Sequence, residues 1–373
     1  MGLVKSRQSR KVLSSLVIDG KRIFKTKDIL EAEVKFYEDL YTSNCTHNEH
    51  FQRYIDNINV EKKLEADQAD KCEGKITLEE ATLALNEMKL NKSPGLDGLT
   101  VEFYKAFWNT IGPILVSALN ESYNTKELSY TQKQSVFSLL FKKGDPENLE
   151  NWRPISLLNI DYKIIAKILA RRLQTILPFI ISQDQQGYVK NRNICFNIRQ
   201  IEDVIDYADI FDIEGAVLFL DFKKAFDTVE WPFLFKVLEK YGFKDSFLKW
   251  VKTLYCNINA KISNNGWISE VFDLKRGIRQ GCPLSALLFI LVVEVLANKL
   301  RNNEDYEGIV IGGKSLKVTQ LADDTTVFLK NTEEVPMVLN IIDEFGNYSG
   351  LKLNRAKTQG LWIGKYKTND PSF

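Results

Sequence analysis

Apolar positions along the chain change period several times, and each change predicts an element. Leu78, Ala81, Leu85 and Met88 recur at i, i+3, i+7 and i+10, the stripe that an amphipathic helix buries. Thr77-x-x-Glu80 at its start reads as a capping box. The pattern ends in Asn91-Lys-Ser-Pro-Gly-Leu-Asp-Gly98, a stretch whose Gly, Pro and Asp predict a loop. Residues 136–141 form a short apolar run before Lys142-Lys-Gly-Asp-Pro146, a strand and turn. A second helical pattern covers 162–177, with Ile164, Ile165, Ile168, Leu169, Leu173 and Ile176 apolar and Lys163, Lys167, Arg171 and Arg172 polar; Pro178 is expected to end it. The unbroken apolar run 216–220 ends in Asp221, as a buried strand would. A long helix is expected over 283–300, with Pro283 near its first turn. Residues 317–321 and 325–329 flank Ala322-Asp-Asp324 and predict a hairpin with two acids at its tip.

Composition narrows the class. The chain has 373 residues, 44% of them hydrophobic and 27% charged, the balance of a folded protein of two or three domain-sized units. The longest apolar run, 286–293, is far below the ~20 residues of a membrane span. The basic N-terminal stretch has no apolar core or cleavage site of a secretory signal. Five cysteines without a CxxC pair fit a reducing, intracellular setting, nuclear or cytoplasmic. Cys45, His47 and His50 lie close together, but these are the only two histidines, so a polar loop is the reading there and a zinc site lacks a fourth ligand. Net charge is +1 overall, yet residues 133–192 hold ten Lys and Arg against five Asp and Glu, a local +5 that leaves −4 for the rest. A basic segment of this kind suits a nucleic-acid channel; the solvated face of a helix would give the same count.

The carboxylates suggest chemistry. An acid directly after a buried strand has a fixed backbone and a free side chain. Adjacent acids in a turn are ordinary by themselves, since Asp favours turns. Together, Asp221, Asp323 and Asp324 at strand ends could hold two Mg²⁺ ions for phosphoryl transfer. A set without histidine or thiolate suits Mg²⁺ or Mn²⁺ better than zinc.

Leu220-Asp-Phe-Lys-Lys-Ala-Phe-Asp227, Arg279-Gln-Gly-Cys-Pro-Leu-Ser285 and Leu321-Ala-Asp-Asp324 resemble, in order and spacing, three palm motifs of reverse transcriptases. Asn151-Trp-Arg-Pro-Ile-Ser-Leu157 resembles the fingers motif of that family. Asn91–Gly98 is similar to the segment that precedes the fingers in LINE-type non-LTR retrotransposons, and Gly350-Leu-Lys-Leu-Asn-x-x-Lys357 to the motif after the palm hairpin. The likeness covers about residues 76–366 and rests on six motifs in register; a group II intron-type maturase fits the 91–98 segment less well.

The resemblance implies an α+β fold of right-hand polymerase fingers and palm, the antiparallel palm sheet backed by helices, with a helical N-terminal extension. It divides the chain into a connector at 1–75, fingers at 76–215, palm at 216–366 and a truncated tail at 367–373. The family's endonuclease, primer grip, thumb and C-terminal Cys/His segment are not identified, so poor processivity is expected. The implied activity is RNA-directed DNA polymerisation with an RNA template, a DNA primer and dNTPs; the alternative is a degenerate fragment that binds RNA without polymerising.

By the same resemblance Asp221, Asp323 and Asp324 are the metal-binding acids. Lys142 and Arg153 contact the triphosphate, and Phe222 and Phe226 belong to the nucleotide site. Phe226, five residues after Asp221, is the steric gate against a ribose 2′-hydroxyl; its other reading is a core residue. Gln280 contacts sugar or base, with Gly281 beside it allowing close backbone approach. Lys357 resembles the lysine that protonates the leaving pyrophosphate. Leu321 departs from the family, which usually carries an aromatic or Met-containing sequence there; apolar packing is kept, and at most reduced or altered activity is expected. Gly308-Ile-Val-Ile-Gly-Gly-Lys-Ser315 matches a phosphate-loop pattern, but its β-branched interior predicts a hairpin turn at Gly312-Gly313.

Overall fold

In a computed structural model of the chain, residues 13–45 and 49–367 are described. His47 and the first twelve residues of the N-terminal stretch lie outside them. The described strands, in chain order, are β1 (Leu16–Ile18), β2 (Lys21–Ile23), β3 (Gln134–Phe141), β4 (Trp152–Leu158), β5 (Glu214–Leu220), β6 (Asn259–Asn264), β7 (Trp267–Ile268), β8 (Phe272–Asp273), β9 (Ile309–Ile311), β10 (Lys314–Leu316), β11 (Val318–Leu321), β12 (Asp324–Leu329) and β13 (Gln359–Gly364). They are interspersed with helices, the α+β composition expected of fingers and palm. The chain forms two compact units, each assembled from several segments: 1–43, 73–171 and 245–285 in the first, and 44–72, 172–244 and 286–373 in the second.

The first unit is built on a mixed sheet of order β4-β3-β6-β7, with β8 also on β6. β3 and β4 are antiparallel, Leu140 opposite Arg153, while β3 and β6 run parallel. The helix Leu78–Asn86 begins in the predicted capping box: Glu80 N–H donates to Thr77 Oγ1 at 3.2 Å and Thr77 N–H to the Glu80 carboxylate at 3.0 Å. The loop after it is docked on the end of β4. A Cβ at Gly95 would meet the Asn159 side-chain oxygen at 1.9 Å, so only glycine fits there.

The N-terminal segment is not purely helical. It opens with the antiparallel hairpin β1–β2, turning on Asp19-Gly20 at φ +49° and +75°. That positive-φ pair is what Asp-Gly supplies in a two-residue turn, a signal that the helical reading passed over.

The second unit holds an antiparallel sheet of order β11-β12-β5-β13. The helix Ile194–Ile210 covers one face, packing Val204 and Ala208 against Val217, Phe328 and Ile363. Each such apolar side chain contributes about 1.5–3 kcal/mol by leaving water. β5 is the central strand whose alternation is lost because Gly215, Ala216 and Val217 are all buried. The 162–177 pattern extends to Ile160–Ile180, and Pro178 does not stop it. Pro178 lies in the last turn, and Ile181 N–H still reaches Leu177 O at 2.9 Å, so the ring interrupts little. The helix Ser285–Arg301 starts just after Pro283 and is buried on nearly every side, which its apolar run permits.

Candidate active site

In the second unit, Asp221 follows the last residue of β5, and the segment Lys352–Asn354 runs antiparallel beside it. Lys223 N–H donates to Lys352 O at 2.9 Å, Asn354 N–H to Asp221 O at 2.7 Å, and Phe222 bridges Leu353. The Asn354 side-chain amide then donates to Asp221 Oδ2 at 2.8 Å. The motif at 350–357 is held in place by Gly350, at φ +83°, where a Cβ would lie 2.0 Å from Thr228 O. In the sequence Asn354 is one position of that motif; its place beside Asp221 comes from tertiary pairing, which spacing does not encode.

β11 and β12 form the predicted hairpin, with one change. Leu321 pairs with Asp324, so the loop is Ala322-Asp323 alone and Asp324 stands in the strand. Ala322 has φ +56° while Asp323 does not, so the first loop residue takes a left-handed backbone where glycine is usual. β12 pairs with β5 up to Thr325 opposite Leu220. Asp324 and Asp221 are thus each the next residue beyond the last β5–β12 pair. A cleft of about 450 Å³ opens at this loop, its lining including Tyr188, Asn193, Ile194, Asp323 and Asp324. Burial, and then the Asp323 charge, push the Tyr188 phenol up from its ordinary value.

Phe222 is buried against Leu353, whereas Phe226 is half-buried and stacked on Phe289, with ring centroids 4.5 Å apart and planes 11° from parallel. Lys357 is exposed in the turn after Asn354, its N–H donating to Asn354 O.

The other predicted site residues belong to the first unit. Lys142 and Arg153 are both exposed on the β3–β4 hairpin. Arg153 faces Leu140, and Lys142 follows the end of β3, its N–H donating to Asn151 O at 3.0 Å. Gln280 O accepts from Ser156 N–H at 2.7 Å, fixing the Gln280-Gly281 loop on the strand that carries Arg153. Gly281 has φ +112°, and a Cβ there would meet Ser156 O at 2.7 Å. Arg279, in the same motif, is buried: its guanidinium lies over the Tyr162 ring at 4.8 Å and donates to Lys133 O at 2.7 Å. Each unit therefore gathers its own share of the predicted residues, cations and the Gln-Gly loop in one, acids and Phe226 in the other.

The donor set is all oxygen, which fits Mg²⁺ or Mn²⁺. Among the described residues no group of three or more His, Cys, Asp and Glu side chains is close enough to form a metal cage. Asp221, Asp323 and Asp324, expected together as the metal ligands, are therefore not gathered into one such group. The phosphate-loop pattern at 308–315 is the antiparallel hairpin β9–β10 turning on Gly312-Gly313. His50 falls in the helix Glu49–Asp56. No helix among the described residues is long and apolar enough to cross a membrane.

A profile of the family "Reverse transcriptase (RNA-dependent DNA polymerase)" matches residues 141–368. The whole chain aligns at 33% identity with 28% of the "Transposon TX1 uncharacterized 149 kDa protein" of Xenopus laevis. At 26% identity, 74% of the chain matches 26% of the Pol polyprotein from the type-2 retrotransposable element R2DM of Drosophila melanogaster. At 28% identity, 77% of it matches 39% of the Pol polyprotein from the type-1 element R2 of Popillia japonica. The chain thus spans between about a quarter and two fifths of these relatives.

Proposed function

The chain belongs to the reverse transcriptase family, in the branch of non-LTR retrotransposon polyproteins, and from that premise we propose that it extends a DNA primer on an RNA template with dNTPs and two Mg²⁺ ions. The observation that carries the reading is the β5–β12 register, which ends with Thr325 opposite Leu220 and so leaves Asp324 and Asp221 each one residue beyond the same pair. Asp221, Asp323 and Asp324 would hold the metals. Bound there, the ions supply charge neutralisation for the triphosphate and a more acidic primer 3′-hydroxyl.

The chain's own residues do the positioning. Asn354 fixes one oxygen of Asp221 and leaves the other for a ligand. Lys142 and Arg153, both exposed on the β3–β4 hairpin, suit the triphosphate, Arg as a planar fork and Lys as a point charge. Gln280, on a loop pinned to β4, contacts the sugar or base. Phe226, backed by Phe289, has a ring held firmly enough to exclude a 2′-hydroxyl. Lys357, exposed and two hydrogen bonds away from Asp221 through Asn354, is the proton donor to pyrophosphate. In this reading the fingers function resides in the unit of β3–β4 and the palm function in the unit of β5, β11 and β12.

Primer extension on poly(rA)/oligo(dT) with Mg²⁺ and dTTP tests this, with Asp323→Asn/Asp324→Asn as the control. Extension by the wild type and none by the double variant is expected. RNA binding without extension by the wild type would favour a fragment that only binds.

A further inference from the structure

The loop that carries Asp323 is braced by a residue outside every motif described above. Gln185 is completely buried. Its Oε1 accepts from Ala322 N–H at 2.9 Å and from Gly187 N–H at 2.7 Å. Its Nε2 lies 3.4 Å from Gln320 Oε1 and 3.5 Å from Ala322 O. One side chain thus addresses both backbone polar groups of Ala322, the residue at φ +56°. Such a backbone costs an alanine free energy and persists only where its surroundings over-determine it.

The neighbours of Gln185 are fixed to the same strand. Gln186 N–H donates to Gln320 O at 2.8 Å, and Gln320 N–H donates to Asp184 O at 2.8 Å, so this short segment adds a parallel rung to β11. Gly187 completes the approach, since a Cβ there would lie 2.4 Å from Ala322 N. Behind them, Arg301 Nη1 donates to Asp184 Oδ2 at 2.6 Å, tying the segment to the buried helix Ser285–Arg301. Asn197 donates to Gln320 O at 3.0 Å and to Thr319 Oγ1 at 2.7 Å, securing β11 from the helix Ile194–Ile210.

We propose that Gln185 is a positioning residue for polymerisation: it holds Ala322 in the left-handed conformation and thereby sets the directions of Asp323 and Asp324. The proposal rests on the reading that these acids hold the catalytic metals. Gln185 touches neither substrate nor metal in it and acts through the loop backbone. Leucine at 185 would fill the same space with no acceptor, leaving two buried N–H groups unpaired and Ala322 free to relax.

The full chain carrying Gln185→Leu is the test, read in two ways. Amide hydrogen exchange should accelerate at Ala322 and Gly187, with the amides of β5 still protected. Primer extension on poly(rA)/oligo(dT) should lose 10–100-fold in kcat, the size of effect seen when a ligand's support is removed, while KM for dTTP stays within about twofold. Unchanged exchange at those two amides, or faster exchange with unchanged kcat, overturns the proposal. Should Gln185→Leu not fold, Gln185→Glu keeps an acceptor for both amides. Protected amides with most of the turnover support the role, and lost protection with full turnover overturns it. If the wild type extends no primer, that failure falls on the polymerase reading. The exchange measurement alone then decides whether Gln185 holds the loop.

Discussion

The side-chain amide of Asn354 donates to Oδ2 of Asp221 at 2.8 Å, across 133 residues of sequence. A carboxylate that must present an oxygen to a metal gains direction from a donor on its other oxygen. Asn354→Ala is expected to lower kcat roughly 10–100-fold and to raise the Mg²⁺ concentration at half-maximal rate. Stability should fall by about 1.5–3 kcal/mol, as for a lost hydrogen bond to a charged group. A Mg²⁺ titration of primer extension decides this, and an unshifted midpoint with wild-type kcat would remove Asn354 from the site.

Phe226 presents the next case, because its ring lies flat against Phe289. Phe226→Val should admit ribonucleotides and raise NTP over dNTP incorporation by roughly tenfold or more. The lost stack should cost about 1–2 kcal/mol, a figure that includes ring contact beyond simple area. Competition between rUTP and dTTP on an oligo(dT) primer measures the ratio. An active variant with an unaltered ratio would return Phe226 to the role of a packing residue.

Gly281 and Gly98 allow a paired comparison. Both have positive φ, +112° and +70°, but a Cβ at Gly281 meets Ser156 O at 2.7 Å whereas Gly98 faces nothing within 4 Å. Gly98→Ala should cost about 1 kcal/mol of backbone strain and Gly281→Ala about 2–3 kcal/mol or more. Urea unfolding measures both. Gly281→Ala should also raise KM for dNTP, since Gln280 is displaced with the loop. Equal costs for the two would mean that the approach to Ser156 is not tight.

Glu33 gives the first unit a pH dependence. It is completely buried, Asn264 Nδ2 donates to its Oε1 at 3.0 Å, and burial pushes its carboxyl up to about 8. The folded chain keeps a proton there that the unfolded chain releases above pH 4.5. The associated stability is therefore complete below pH 4.5 and is lost as pH rises towards 8, with a slope of about 1.4 kcal/mol per pH unit. Gln, the same shape without the proton, should flatten this slope. Urea midpoints for wild type and Glu33→Gln between pH 5.5 and 7.5 should converge as pH falls; parallel curves would refute the assignment.

Several elements were legible because they are local. The apolar run before Asp221, the acids between two alternating stretches and the Thr77/Glu80 box each depend on residues a few positions apart. The two-residue loop was less legible, since Asp324 enters the strand only by pairing with Leu321 of β11. Gln185 and Asn354 were not legible as site residues, because their partners lie more than a hundred positions away and nothing in spacing links them. In β6 the alternation of Ala260 and Ile262 with Asn259, Lys261 and Ser263 is only a few residues long, and its place is set by the parallel pairing with β3. Asp19-Gly20, by contrast, carried a turn signal that charge and helical periodicity in the surrounding residues obscured.

That parallel pair also governs how the protein emerges from the ribosome. The Ser135 hydroxyl on β3 donates to Asn259 O on β6, 124 residues later. At roughly 5–20 residues per second, β3 waits about 6–25 s for its neighbour to be synthesised. Until then the β3–β4 ribbon has an open edge and no second face for its apolar side chains. Translation speed and chaperone access over that interval, more than the final stability, are expected to set the yield of folded chain.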